Sequence, residues 1–164
     1  MEINLIVCLL EPKIPPNTGN IARLCAANNL RLEIVGDIGF SLSDKDLKRA
    51  GLDYWKYVNW EYFPDLDGYM KRLENETVHL FTTKSDQRYT LREFKSNDYL
   101  IFGSETKGIP DRFLKANLVD CCTIPMANKN IRSLNLSSSV SIAVYEALRQ
   151  QEQGESSNRD DKLG

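Results

Sequence analysis

INLIVCLLEPKIPPNTGNIARLCAANNLRLEIV, residues 3–35, reads as strand, helix, strand. Ile3–Leu10 is apolar at every position except Asn4. A run of that kind, with no in-and-out alternation, fits a parallel strand covered on both faces. Asn17–Asn29 has helical character, and Arg31–Val35 forms a second short strand. The same alternation continues along the chain. Asp44–Ala50 predicts a helix with Ser43 as its cap. Val58–Tyr62 predicts a short strand and Asp65–Glu74 a helix, which Gly68 weakens. Strand-like runs recur at Val78–Thr82, Tyr99–Phe102 and Cys121–Ile124. Strands alternating with helices specify an α/β domain with a mostly parallel sheet and helices on both faces.

The clearest single element is the last helix. Leu136, Val140, Ala143, Val144, Ala147 and Leu148 recur at helical spacing and make one apolar stripe. That stripe suits the domain core, a second copy of the chain, or both. After Gln150 the sequence turns polar, and residues 151–164 read as a disordered tail because they offer little apolar surface to bury. Residues 1–150 are expected to form one domain.

Composition narrows the function classes. The 164 residues are 41% hydrophobic and 27% charged, the balance of an ordinary globular domain. The N-terminal apolar run has no basic region before it and no cleavage site after it, so it reads as a strand and the expected compartment is the cytoplasm. Cys8, Cys25, Cys121 and Cys122 form no CxxC pair, and the lone His79 completes no usual zinc set. All five read as packing residues. A net charge of −2 argues against a protein that coats nucleic acid nonspecifically. An RNA partner would need a local basic patch, or two chains pooling theirs.

Three stretches carry candidate chemistry. Pro15-Pro16-Asn17-Thr18-Gly19-Asn20-Ile21-Ala22-Arg23 joins the first strand to the first helix. Asn17 or Thr18 suits its cap, and the free N–H groups of a helix start suit a phosphate or carboxylate. Arg23 follows within two turns and is expected near the same rim. On the physics alone, a well-made helix start followed by a surface arginine accounts for the stretch better than a ligand site does. Phe102-Gly103-Ser104-Glu105-Thr106-Lys107-Gly108-Ile109-Pro110 follows an apolar strand, where open parallel sheets bind ligands. It is neither a P-loop nor a dinucleotide fingerprint. In Ile124-Pro125-Met126 and Arg132-Ser133-Leu134-Asn135-Leu136-Ser137, polar groups stand where a strand gives way to a helix, with Ile124, Met126 and Leu134 as apolar lining. No G-x-S-x-G elbow accompanies these serines, which disfavours a hydrolase.

In order and spacing, these stretches resemble the three motifs of the SPOUT superfamily of RNA methyltransferases, specifically its TrmH-like branch of ribose 2′-O-methylating enzymes. The resemblance covers nearly all of residues 1–150 and includes Arg49-Ala50-Gly51-Leu52-Asp53-Tyr54-Trp55 and Thr82-Thr83-Lys84. It is strongest to the small members that methylate the wobble nucleotide, cytidine or uridine 34, of leucine tRNAs. The resemblance implies a C-terminal trefoil knot, a homodimer, a tRNA substrate, and S-adenosyl-L-methionine as cofactor with no metal. It implies a cofactor pocket built from Phe81, Thr82, Gly103, Glu105, Gly108, Ile124, Met126, Ser133 and Leu134. Arg23, Asn17 and Asn135 then become the catalytic candidates, with Arg23 of one subunit serving the site of the other. Because arginine side chains hold their proton throughout the physiological range, Arg23 is expected to position a phosphate or a developing alkoxide. Lys45, Lys48, Arg49, Lys84, Arg88, Lys107 and Lys129 are the candidate RNA-facing charges. Ser138-Ser139 departs from the Asn-Ala common in relatives. A non-catalytic RNA- or protein-binding module on the same fold is the alternative.

Overall fold

The computed structural model describes residues 4–43 and 54–160. Six parallel strands form one sheet: β1 (Ile6–Leu10), β2 (Arg31–Val35), β3 (Asn59–Phe63), β4 (Val78–Phe81), β5 (Tyr99–Phe102) and β6 (Cys121–Cys122). Their spatial order is β3-β2-β1-β5-β4-β6, and every pairing is parallel. Among the described residues four helices pack on it: α1 (Pro15–Ala27), α2 (Leu66–Arg72), α3 (Asp111–Ala116) and α4 (Leu136–Asp160). The α/β class and the parallel sheet therefore stand as expected.

The period of two along each strand divides the core into two layers. Val7 and Leu9 of β1, with Leu32, Ile34, Leu100 and Phe102, face Ile21, Ala22 and Cys25 of α1 and Val140, Ala143, Val144 and Ala147 of α4. On the other face, Cys8, Leu10, Val35, Leu80 and Ile101 meet Leu66, Tyr69, Met70 and Leu73 from the α2 side, with Phe113 and Leu114 of α3. The central strands are thus apolar on both faces because helices cover both faces. The stripe of α4 is spent on the core, with Leu148 partly buried against it. The opposite side of α4 leaves Ile142 and Tyr145 37% and 57% exposed.

Several boundaries differ from expectation for identifiable reasons. Helix α1 begins at Pro15, since proline is well tolerated in a first helical turn. Asp65 is not a helical residue but the cap of α2, accepting from the Gly68 N–H at 3.1 Å. Strand β6 stops at Cys122 because Thr123 turns to pair with the 87–89 segment, donating to the Gln87 carbonyl at 2.8 Å. Helix α4 runs on to Asp160, through residues expected to be disordered. Gln, Glu and Arg are good helix formers, so a helix already anchored in the core propagates through them. The helix expected over Asp44–Ala50, with Lys45, Lys48 and Arg49, lies outside the described residues. No helix among the described residues is long and apolar enough to cross a membrane.

Two buried polar networks brace the sheet. Glu33, 2% exposed, accepts from Arg31 at 2.7 Å, from Arg72 at 3.2 Å and from the Tyr69 hydroxyl, tying α2 to β2. His79 is buried and packs its ring 4.6 Å from that of Phe94. The Arg92 guanidinium can only donate, so His79 Nδ1 accepts from it at 3.1 Å and Nε2–H donates to Asp98 at 2.8 Å. His79 is a packing residue, as its sequence context implied. All four cysteines are buried free thiols, and burial pushes Cys25 and Cys122 up to about 12 and raises Cys8 and Cys121 as well. At pH 8, below those values, they stay protonated and unreactive. A thiol reagent at pH 8 is expected to label none of the four in the native protein and all four in denaturant.

Candidate active site

Parallel strands deliver all their carboxyl ends to one rim, and the sheet order decides which part of that rim opens. Adjacent strands β1 and β5 send the chain to opposite faces, β1 into α1 and β5 through residues 103–110 into α3. Such a divergence leaves a crevice beyond the strand ends. Beside it lies a cavity of about 500 Å³ at the ends of β4, β5 and β6. Its wall brings together Asn17, Phe81, Thr82, Gly103, Glu105, Gly108, Ile124, Ser133, Leu134 and Asn135, residues drawn from all three motifs. Ile14, Thr83, Lys84, Phe102, Ser104, Lys107, Thr123, Arg132 and Ser139 also line it.

One carboxylate joins the first two motifs. Glu105 accepts from the Lys13 N–H at 2.8 Å, the Ile14 N–H at 3.1 Å and the Asn17 side-chain amide at 3.2 Å. Neither Asn17 nor Thr18 caps α1; its N-cap is Ile14, which has no capping side chain. The segment entering α1 does hold an anion, the chain's own Glu105, but through N–H groups that precede the helix: Pro15 and Pro16 have none to give, and the Asn17 and Thr18 N–H groups donate to the Ile14 carbonyl. Asn17 then accepts from the Asn135 amide at 2.9 Å, which brings in the third motif. The Asn135 oxygen in turn accepts from the Ser137 and Ser138 N–H groups at 2.9 and 3.3 Å and so caps α4. Glu105, Asn17 and Asn135 form one chain of charged and amide groups fixing both helix starts at the cavity.

The 103–110 loop is shaped by two glycines. A Cβ on Gly103 would stand 1.9 Å from the Gly108 carbonyl carbon and 2.1 Å from the Ile109 nitrogen, so the chain folds directly over this residue. Gly108 has φ +68°, left-handed backbone that glycine adopts without penalty, and donates to the Ser104 carbonyl at 2.9 Å. The Arg132 guanidinium holds the loop from the third motif by donating to the Thr106 carbonyl. At the mouth, Lys84 pairs with Asp111 at 2.6 Å. That hydrogen bond lowers the Asp111 carboxyl below its usual range, so the pair persists through that range and is lost only on acidification beyond it.

Two expected site residues stand apart. Arg23 is exposed, is absent from the cavity wall, and lays its guanidinium 4.8 Å from the Tyr54 ring centroid. Six helical residues advance the chain by about 600°, which turns Arg23 about 120° away from Asn17. The expectation that both share a rim within one chain is corrected. Met126 is half-buried just beyond Ile124 and does not line the cavity. Missed from sequence were the hydrogen bonds of Glu105 to the 13–17 segment and the wall residues Thr123 and Ser139. Each depends on distant segments meeting, which no local pattern encodes.

The model of the SpoU rRNA Methylase family matches residues 4–145. The chain belongs to that family. Among its relatives within the family, the tRNA (cytidine(34)-2′-O)-methyltransferase of Methylovorus glucosotrophus is 43% identical over 148 residues, covering 88% of this chain and 94% of that one. A Geobacillus stearothermophilus protein, provisionally named for the same activity, is 46% identical over 150 residues, covering 90% and 95%. A solved structure described as giving insights into the 2-OH methylation of C/U34 on tRNA superposes with a TM-score of 0.86 at 36% identity, covering 93% of this chain and 99% of that one. The SpoU methyltransferase AviRb of Streptomyces viridochromogenes, in complex with AdoMet, shares the fold at a TM-score of 0.80 and 22% identity, over 93% of this chain and 62% of that one.

Proposed function

We propose that this SpoU-family chain transfers a methyl group from S-adenosyl-L-methionine to the ribose 2′-hydroxyl of nucleotide 34, cytidine or uridine, in leucine tRNAs. The observation that carries the reading is the meeting of all three motifs around one cavity, on a chain aligned almost end to end with relatives named for that reaction. The cavity fits the cofactor. Its volume lies in the range of small-molecule sites, its wall mixes apolar faces with polar backbone, and the closed space over Gly103 leaves backbone rather than side chain to meet a ligand.

Phe81, Thr82, Gly103, Gly108, Ile124, Ser133 and Leu134 would hold the cofactor, with Met126 at the margin and Glu105 fixing the loop from behind. When bound, the cofactor would supply an electrophilic methyl group on a sulfonium sulfur, leaving a neutral thioether once the 2′-oxygen has taken the methyl and released its proton to solvent. The remaining work is alignment, which supplies several kcal/mol of a barrier of this kind. Asn17 and Asn135 keep the two helix starts at a fixed separation. Arg23 neutralises the neighbouring phosphate or the developing alkoxide. Its distance from its own cavity supports a homodimer in which it serves the partner's site. Exposed Ile142 and Tyr145 on the outer side of α4 support the same arrangement. The family's trefoil knot over the C-terminal part, and residence in the cytoplasm, belong to the same reading.

Incubation with methyl-labelled S-adenosyl-L-methionine and bulk tRNA is expected to label the RNA. Cofactor binding without transfer favours the alternative of a non-catalytic RNA-binding module.

A further inference from the structure

The turn leading into β3 carries an arrangement that lies outside the cavity wall. Tyr54, Trp55, Lys56 and Tyr57 are consecutive, with a single tight helical turn over Trp55–Tyr57. The turn is pinned from below. Trp55 packs on Trp60 of β3 with ring centroids 4.7 Å apart, and Val58 is buried. The Tyr57 N–H donates to the Tyr54 carbonyl at 2.8 Å, and the Val58 N–H to the Trp55 carbonyl at 3.1 Å.

On its outer side this rigid turn presents two tyrosine rings, Tyr54 38% and Tyr57 67% exposed. Each carries a cation over one face: the Arg23 guanidinium 4.8 Å from the Tyr54 centroid and the Lys56 ammonium 4.8 Å from that of Tyr57. Both cations are exposed. Flat aromatic faces on fixed backbone, interleaved with cations, match one ligand chemistry well: unpaired nucleobases joined by phosphates. Duplex RNA hides its base faces, and an acidic peptide has no comparable surface to stack.

We propose that Tyr54 and Tyr57, with Lys56 and Arg23, form a stacking platform for the unpaired bases flanking the methylated nucleotide. The proposal rests on the functional reading above and extends it to how the single-stranded loop is gripped. Arg23 belongs to both the platform and the target site. A strand whose phosphate it holds therefore places the adjoining bases over the tyrosines.

The test measures binding of a tRNA anticodon stem-loop to the wild-type protein, Tyr57→Ala and Tyr57→Phe. Each is measured with an intact loop and with a loop made abasic at either nucleotide flanking position 34. Loss of one stacked base predicts about tenfold weaker binding for Tyr57→Ala, near-wild-type binding for Tyr57→Phe, and an unchanged Kd for S-adenosyl-L-methionine in both. One of the abasic loops weakens wild-type binding about tenfold and adds no further loss to Tyr57→Ala. Wild-type affinity in Tyr57→Ala, equal weakening by Ala and Phe, or losses that multiply would each overturn the platform. Absence of methyl transfer by the wild type would instead sink the functional reading, and the binding cycle would still judge the platform.

Discussion

Gly103→Ala is expected to destabilise the fold by about 3 kcal/mol or more and to abolish cofactor binding. Overpacking a well-filled site costs about 1–3 kcal/mol when neighbouring side chains can yield. Here the new methyl would meet the backbone of Gly108 and Ile109 at 1.9–2.4 Å, and backbone inside a closed loop has nowhere to move. Gly108→Ala provides the contrast. Its Cβ would meet open space, so only the left-handed φ is penalised, at about 1–2 kcal/mol. Thermal unfolding and titration with S-adenosyl-L-methionine check both. Comparable losses in the two variants would mean that close approach over Gly103 is not what shapes the pocket.

Arg23→Ala is expected to lower methyl transfer by about 100- to 1,000-fold, the scale on which loss of one charge-stabilising donor acts. The folded state should change little, because the side chain is exposed and gives up a single ring contact. Cofactor affinity should also hold, since Arg23 does not line the cavity. If the residue acts across a dimer, mixing Arg23→Ala with a variant whose cavity is filled, Ile124→Trp, restores activity. Mixed dimers then carry one site with both defects and one with neither. Recovery to about a quarter of wild type is expected from random mixing, since half the dimers are mixed and each holds one good site of two. No recovery in dimers shown to have exchanged would place Arg23 with its own cavity.

Much of the fold was legible because it rests on local chemistry. The uninterrupted apolar runs of β1 and β5 specified strands buried on both faces, and the α4 stripe specified a core helix. The strand expected over Ile3–Leu10 begins at Ile6 among the described residues, and the one expected over Cys121–Ile124 ends at Cys122, because hydrophobicity marks what is buried, not where a neighbour stops pairing. Ten of the twelve site positions that the family resemblance implied lie on the cavity wall, and the sheet brings them there because parallel strand ends share one rim. Its internal wiring was not. Glu105 reaches the Ile14 N–H across 91 residues, and Asn135 reaches Asn17 across 118. Contacts at that separation follow from the sheet order β1-β5-β4, which no stretch of sequence states alone. Arg23 shows the reverse error: sequence proximity suggested a shared rim, and the helical turn separated the side chains.

The central claim is that backbone loops at one rim of the sheet present a methyl donor to a single ribose oxygen. Nuclease digestion and mass spectrometry of leucine tRNA, after incubation with the wild-type protein and S-adenosyl-L-methionine, test it most directly. The account predicts one added methyl on the ribose of nucleotide 34 and none when Arg23→Ala replaces the wild type. A methyl on a base, a methyl at another nucleotide, or unmodified RNA beside cofactor-saturated protein would contradict it.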